Sequence, residues 1–319
     1  MEPQPINSVV PPAPAPSRRS RNTPVVLGAI VVVILILVVG GYFFMKSSYA
    51  AFYDVTFVSG SFGSRTVNEF GIKGVHTISV PVPGTLVDYA SGHGTQVAIA
   101  QSNSKSEDIY RLSNGTASPI THNGTIKSAL AVSANGSMVA YAERATLGTS
   151  TAAVEFYAPS QWTIMLVSGT DTPRALGTGY GPEFFTHNGQ PHLLYTTSTG
   201  IHVVNLATNS HQDVSASFGN KTDFRTVEVS ADGAYVILPD VASGYALYSL
   251  VYSGDIVASF KPIGALPAKT SVVAFKGSSI ISATGGVGPV LVRITSVTSP
   301  ALIQKGREAG TGGIVRFIP

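Results

Sequence analysis

Residues 229–238 read VSADGAYVIL, and residues 132–141, 97 positions earlier, read VSANGSMVAY. Each is a short apolar run, a polar turn ending in glycine, and a second apolar run. Asp-Gly and Asn-Gly supply the positive φ angles that a tight hairpin needs. Two near-copies of one hairpin predict a repeated unit. Working outward, similar turns end at Gly94 in SGHG, Gly189 in THNG and, more loosely, Gly277 in FKG. Successive turn glycines are 42, 53, 44 and 44 residues apart.

An apolar strand follows each turn: QVAIA, MVAYA, HLLYT, YVIL and SIIS. A third strand comes next: DIYRL (108–112), WTIMLV (162–167), IHVVNL (201–206), YALYSL (245–250) and VLVRI (290–294). A weaker fourth segment, such as SPIT or RALG, completes the unit. Four strands in about 44 residues is the period of a β-propeller blade. A β-sandwich is also all-β, but it does not repeat turn and strand at a fixed interval. Five hairpins fall between 86 and 304. The stretch before them offers three more strands, Asp54–Val58, Arg65–Phe70 and Thr77–Val82, and the trailing IVRFI offers one. Three and one make a sixth blade, closed by both chain ends so that no long edge is left open. The expected fold is an all-β propeller of six four-stranded blades, with five blades as the alternative.

The stretch DIYRLSNGTASPITHNGTIKSALAVSANGSMVAYA (108–142) resembles the TolB-type, WD40-like propeller repeat. In that repeat a strand leads to an LT segment and then to a hairpin built on SPDG. Ser133–Gly136 and Ser230–Gly233 occupy the SPDG place, with Ala134 and Ala231 where the family has proline. The resemblance spans roughly residues 85–295, and two of its hairpins match well. It implies a fold rather than an activity, since such repeats occur in periplasmic interaction proteins and in the propeller domains of some peptidases.

Ahead of the repeats, Val25–Met45 runs 21 residues without a charge. A helix of that length spans roughly 30 Å, the hydrocarbon thickness of a bilayer. Tyr42, Phe43 and Phe44 suit the interfacial aromatic belt, and Arg18, Arg19 and Arg21 precede the run while Lys46 follows it. The positive-inside rule then places the N-terminus in the cytoplasm and the repeats outside. The expected organisation is a Pro-rich basic tail over 1–23, a transmembrane helix over 24–46 and an extracytoplasmic propeller over 47–319 in the plasma membrane. A cleaved signal peptide ending at Ser48–Ala50 is the alternative, although the apolar run exceeds the usual length of a signal core. The tail holds a P-x-x-P spacing at Pro11 and Pro14, which reads as a solvated spacer.

Composition narrows the function classes. Charged residues make up 12% and cysteine is absent, so disulfides, thiolate chemistry and cysteine-bound zinc are excluded. The net charge of +3 includes +2 from the residues before Pro24, which leaves +1 for the rest. A near-neutral body offers no electrostatic footprint for nucleic acid. Neither a G-x-S-x-G elbow nor an H-E-x-x-H zinc site is present. SADG approaches the sialidase Asp-box, but its glycine falls one place early and no tryptophan follows. Sugar-cleaving propellers use paired carboxylates in the central funnel, for which Asp88, Glu183, Asp223 and Glu228 are the candidates, although with 17 acidic residues in the chain surface or turn roles are the expected ones. His187, His192 and His202 fall in one blade but on separate elements, which favours ordinary surface or inter-blade packing over convergence on a metal. GTGYG (177–181) and GREAGTGG (306–313) are read as inter-blade loops. Asn114, Asn123, Asn135 and Asn220 stand in N-x-[ST] contexts.

No catalytic, cofactor or metal residue is expected. The second repeat is longer than the others, and its surplus, ATLGTSTAAVEFYAPSQ (145–161), falls between its second and third strands. Phe156 and Tyr157 there, with Tyr180 in the next inter-blade loop, are the candidate partner-binding aromatics, because rigid aromatics dominate binding hot spots. Trp162 begins a strand and is expected in the core. The functional expectation is a scaffold that binds an envelope protein or peptide. A carbohydrate-binding or carbohydrate-cleaving propeller and a structural subunit of an envelope complex are the alternatives.

Overall fold

The computed structural model describes residues 30–40, 55–61, 63–71, 73–103, 106–145, 158–214, 227–240, 244–267, 269–284, 290–310 and 313–318. Two compact units divide the chain, Met1–Ala50 and Ala51–Pro319. In the first, residues 30–40 are helical and exposed. Among the described residues no helix is long and apolar enough to cross a membrane. The rest of the expected span, 24–29 and 41–46, and the tail over 1–23 lie outside the described residues.

The second unit consists of six four-stranded antiparallel sheets. The first blade is β1 (Thr56–Ser59), β2 (Thr66–Gly71) and β3 (Gly74–Ile78), with β24 (Ile314–Ile318) paired to β1. The second is β4 (Thr85–Gly92), β5 (Thr95–Asn103), β6 (Ser106–Ser113) and β7 (Thr116–Pro119). The third is β8 (Ile126–Val132), β9 (Met138–Arg144), β10 (Thr163–Ser168) and β11 (Arg174–Thr178). The fourth is β12 (Tyr180–His187), β13 (Gln190–Thr197), β14 (Gly200–Asn205) and β15 (Ser210–Asp213). The fifth is β16 (Glu228–Val229), β17 (Tyr235–Asp240), β18 (Gly244–Ser253) and β19 (Ile256–Ala265). The sixth is β20 (Thr270–Lys276), β21 (Ser279–Thr284), β22 (Leu291–Ser296) and β23 (Ser299–Glu308). The six-blade count holds, and the first blade is assembled from both ends of the repeat region, as the stray strands predicted. The innermost strands β24, β4, β8, β12, β16 and β20 neighbour one another around the ring.

The two matching hairpins are the same object atom by atom. In VSADG, Ser230 N–H donates to Tyr235 O at 2.9 Å and Gly233 N–H to Ser230 O at 2.8 Å. The Ser230 hydroxyl reaches Asp232 Oδ1 at 2.7 Å and accepts from Tyr235 N–H at 2.9 Å. In VSANG the same bonds run from Ser133 N–H to Met138 O and from Gly136 N–H to Ser133 O. Ser133 Oγ likewise reaches Asn135 Oδ1 at 2.8 Å and accepts from Met138 N–H at 2.9 Å. All five turn glycines take positive φ, from 55° at Gly277 to 78° at Gly94. At Gly233 the cost of a side chain is doubled, because a Cβ would stand 2.6 Å from the Phe185 ring.

Among the described residues six apolar clusters hold the ring, one at each junction between neighbouring blades. The second strand of a blade serves two of them. Val97 and Ile99 of β5 pack toward the third blade, while Ala98 and Ala100 between them pack toward the first. Leu193 and Leu194 of β13 divide in the same way between the third and fifth blades. A strand buried on both faces loses the polar alternation of a half-exposed one, which explains why these segments read as unbroken apolar runs. Each fully buried aliphatic side chain contributes about 1.5–3 kcal/mol before entropy is counted.

Two expectations are corrected. The third strand, expected over Thr77–Val82, is β3 at Gly74–Ile78, paired to β2 from Gly71 opposite Gly74 to Val67 opposite Ile78. Pro81 and Pro83 cannot donate to a ladder, so the pairing ends before them. The GTGYG run is mostly strand, since β11 ends at Thr178 and β12 begins at Tyr180. Its glycines serve close packing: a Cβ on Gly177 would lie 2.7 Å from the Tyr195 hydroxyl, and one on Gly179 would meet the Tyr195 ring and Thr196 O.

Candidate functional site

Five innermost strands carry a break in pairing register, and the breaks fall close to charged residues. They lie between Leu86 and Asp88 in β4, Ser128 and Ala131 in β8, Tyr180 and Glu183 in β12, Thr270 and Val272 in β20, and at Val315 in β24. A bulge inserts an extra residue and re-aims the side chains beside it. In β8 the break holds Ala129 at φ 52°. Asp88, Glu183 and Arg316 follow such breaks and, with Glu228 of β16, line a cavity of about 240 Å³. Arg65, Ser128, Tyr180 and Gly181 complete its polar wall.

Arg316 organises this channel. Its Nη1 lies 3.2 Å from Asp88 Oδ2 and also donates to Leu130 O, while Nη2 lies 3.7 Å from Glu183 Oε1. Asp88 is fixed further, because Oδ1 accepts from Tyr89 N–H at 2.9 Å and Oδ2 from Leu130 N–H at 3.1 Å. One guanidinium from the closing strand therefore reaches the second, third and fourth blades. Three carboxyl groups share that cation. Burial pushes Glu183 up to about 7, helped by the charge of Asp88 and opposed by Arg316. Glu228 is raised well above the carboxylate range by burial and by Glu183, again against Arg316. For Arg316 the loss of solvation works against the charge, yet the three carboxylates outweigh it and the guanidinium is raised. The result is an Asp88 carboxyl pinned by two backbone amides and the guanidinium, beside two carboxyls, Glu183 and Glu228, that burial makes hold their protons more tightly.

Three of the four carboxylates singled out in the sequence thus converge, and Asp223 lies outside the described residues. Arg316 was missed, although a charge inside the otherwise apolar IVRFI was a readable signal. Phe156 and Tyr157 lie outside the described residues. Tyr180 is not an exposed anchor. It is 6% exposed, packs edge-on against Trp162 at 5.4 Å, and meets Ser128 Oγ through its hydroxyl at 2.8 Å. The strand start that places it turns its ring into the junction between the third and fourth blades. Trp162 is buried as expected, beneath the Arg144 guanidinium at 4.7 Å.

The histidines part company. His187 stacks on Tyr252 at 3.5 Å, His192 is buried against Phe185, and His202 bonds Asp213 at 2.7 Å and His211 at 3.0 Å. The third-blade insertion leaves β9 at Arg144, directly opposite Ile126 at the start of β8. It therefore departs on the face where blade-to-blade connections enter, the face nearest Asp88, Glu183 and Arg316.

Solved structures are similar to this ring. TolB from Acinetobacter baumannii superposes with a TM-score of 0.58 over 83% of this chain, at 16% identity. The fold is that of a TolB-like β-propeller. The match covers 66% of the A. baumannii protein, so the TolB-like ring corresponds to just under two thirds of that molecule. A chain of the nidogen/laminin complex superposes with a TM-score of 0.55 at 10% identity, over 83% of this chain and 97% of its own. At such identities the likeness concerns architecture. No family model and no curated protein matches the sequence.

Proposed function

We propose that this protein is a membrane-anchored, extracytoplasmic propeller that binds an envelope protein or peptide at the mouth of its acidic channel. The observation that carries the reading is the channel cluster, in which three carboxyls face one arginine on the face from which the third-blade insertion departs. Asp88 has its oxygens committed to two backbone amides and Arg316, which suits a fixed recognition charge better than a nucleophile. The uncharged run Val25–Met45 behind Arg18, Arg19 and Arg21 supports an anchor with the N-terminus in the cytoplasm. The nidogen/laminin complex offers a parallel for a ring of this shape in contact with another protein.

The test is crosslinking and pull-down of the full-length chain from its native membrane, beside the Glu183→Gln/Glu228→Gln double variant. A partner recovered with the wild type and lost with the folded double variant is the expected result. Equal recovery removes the channel from the reading. Protease added to intact cells should digest the propeller and spare the tail, and a protected C-terminus overturns the topology.

A further inference from the structure

Between the second and third blades lies a polar cluster that the channel does not use. Lys127 of β8 is buried, with 0% of its side chain exposed. Its Nζ donates to Asn123 Oδ1 and to Thr125 Oγ1, each at 2.8 Å, and to the Glu107 carbonyl. Asn123 Oδ1 accepts a second bond, from the Thr125 hydroxyl at 2.9 Å. Asn123 Nδ2 donates to Glu143 Oε2 at 2.9 Å. Glu143 of β9 stands directly across the ladder from Lys127.

Taken in order, these contacts are the parts of an acyl transfer. The amide carbonyl is polarised by a hydroxyl, the amide nitrogen rests on a carboxylate, and an amine lies beside the carbonyl. With Nζ 2.8 Å from Oδ1 and a C=O bond of about 1.2 Å, Nζ lies within about 4 Å of Cγ. Attack begins from about 3–3.5 Å with the nitrogen lone pair over the carbonyl carbon, so Nζ must shed one of its three donated protons and shift on the order of 1 Å. Burial lowers the basicity of Lys127 against the pull of Glu143, Asp108 and Glu107. That favours the neutral amine, which is the nucleophilic form.

We infer that Lys127 and Asn123 join in an intramolecular isopeptide bond made by the chain's own residues. The Nζ lone pair attacks Cγ to form the Nζ–Cγ bond, and the Cγ–Nδ2 bond breaks. Glu143 carries one proton from Nζ to the departing nitrogen, which leaves as ammonia. The product keeps one N–H on Nζ for the Glu107 carbonyl and staples the connection that enters the third blade. Residues four apart bridged side chain to side chain give a small lactam ring.

The measurement is the intact mass of the full-length purified chain, followed by tryptic mapping. The bond predicts the loss of one ammonia and the loss of trypsin cleavage after Lys127. Both should vanish in Lys127→Arg, which keeps the charge, and in Glu143→Gln, which removes the proton carrier. An unchanged mass after prolonged incubation at mildly alkaline pH overturns the inference. So does an ammonia loss that maps to Asn123-Gly124, persists in Lys127→Arg and is opened by hydroxylamine, since that is a succinimide; the other Asn-Gly steps at 114, 135 and 188 are told apart by the tryptic map. Because the wild-type mass decides the matter, a variant that fails to fold leaves the test intact.

Discussion

The second strands and the innermost strands of the blades are built from similar residues but serve opposite ends. A second strand such as β13 runs in even register against both neighbours in its blade over most of its length, and sends alternate side chains into two junctions. An innermost strand such as β4 or β12 breaks register after its first residues and places a charge there. Regular pairing maximises packing, whereas a bulge gives up a ladder bond to re-aim a side chain. The ring thus separates the strands that hold it together from the strands that carry its chemistry.

That separation is open to attack at its most loaded point. Arg316→Leu should leave the buried carboxyls of Asp88, Glu183 and Glu228 without their shared cation, at a cost of about 3–5 kcal/mol, as for other buried pairs broken on one side. Adding Glu183→Gln should recover part of the loss. Denaturant unfolding followed by the fluorescence of Trp162, the only tryptophan, reports both. If Arg316→Leu is neutral, the innermost strands are ordinary packing strands.

Within a second strand the comparison predicts equal costs at adjacent positions. Leu193→Ala and Leu194→Ala, both 0% exposed, should each destabilise by about 3 kcal/mol, in the range of core truncations. A strand with one solvated face would show one costly and one cheap substitution instead. The same unfolding assay separates the two patterns.

The smallest effect depends on pH. Glu183 titrates near 7 when folded and near its ordinary value when unfolded. Between those values the unfolded chain releases the proton first, so rising pH weakens the fold until the folded carboxyl has also ionised. Glu183→Gln should therefore match the wild type near pH 5 and exceed it above pH 7, by on the order of 2 kcal/mol. His192 has the opposite sign, because burial lowers its basicity and its contribution is lost as pH falls through the ordinary histidine value. A wild-type stability curve without a fall between pH 5 and pH 8 would argue against the proton-sharing channel.

Much of the fold was legible because each cue is local. The φ angle at Gly233, the serine and aspartate that brace its turn, and the unbroken apolar run of YVIL depend on neighbours a few residues away. The failures were local too, but involved competing demands. Tyr180 sits in a glycine-rich run that reads as a loop, yet Gly177 and Gly179 are small because Tyr195 packs against them. Thr77–Val82 alternates like a strand, yet its proline ends the ladder. Phe156 and Tyr157 lie in an insertion whose position between β9 and β10 was readable from the repeat spacing alone.

By itself the sequence located the hairpin turns, favoured six blades over five, and offered the last strand to complete the first blade. Turn chemistry and period-two burial act over a few residues and repeat with the unit, so they survive being read one segment at a time. Only the tertiary structure decided that Asp88, Glu183, Glu228 and Arg316 form one site. Those residues sit on four strands far apart along the chain. They meet because ring closure brings the innermost strands to a common axis, and because bulges next to Asp88, Glu183 and Arg316 aim side chains that no linear pattern records.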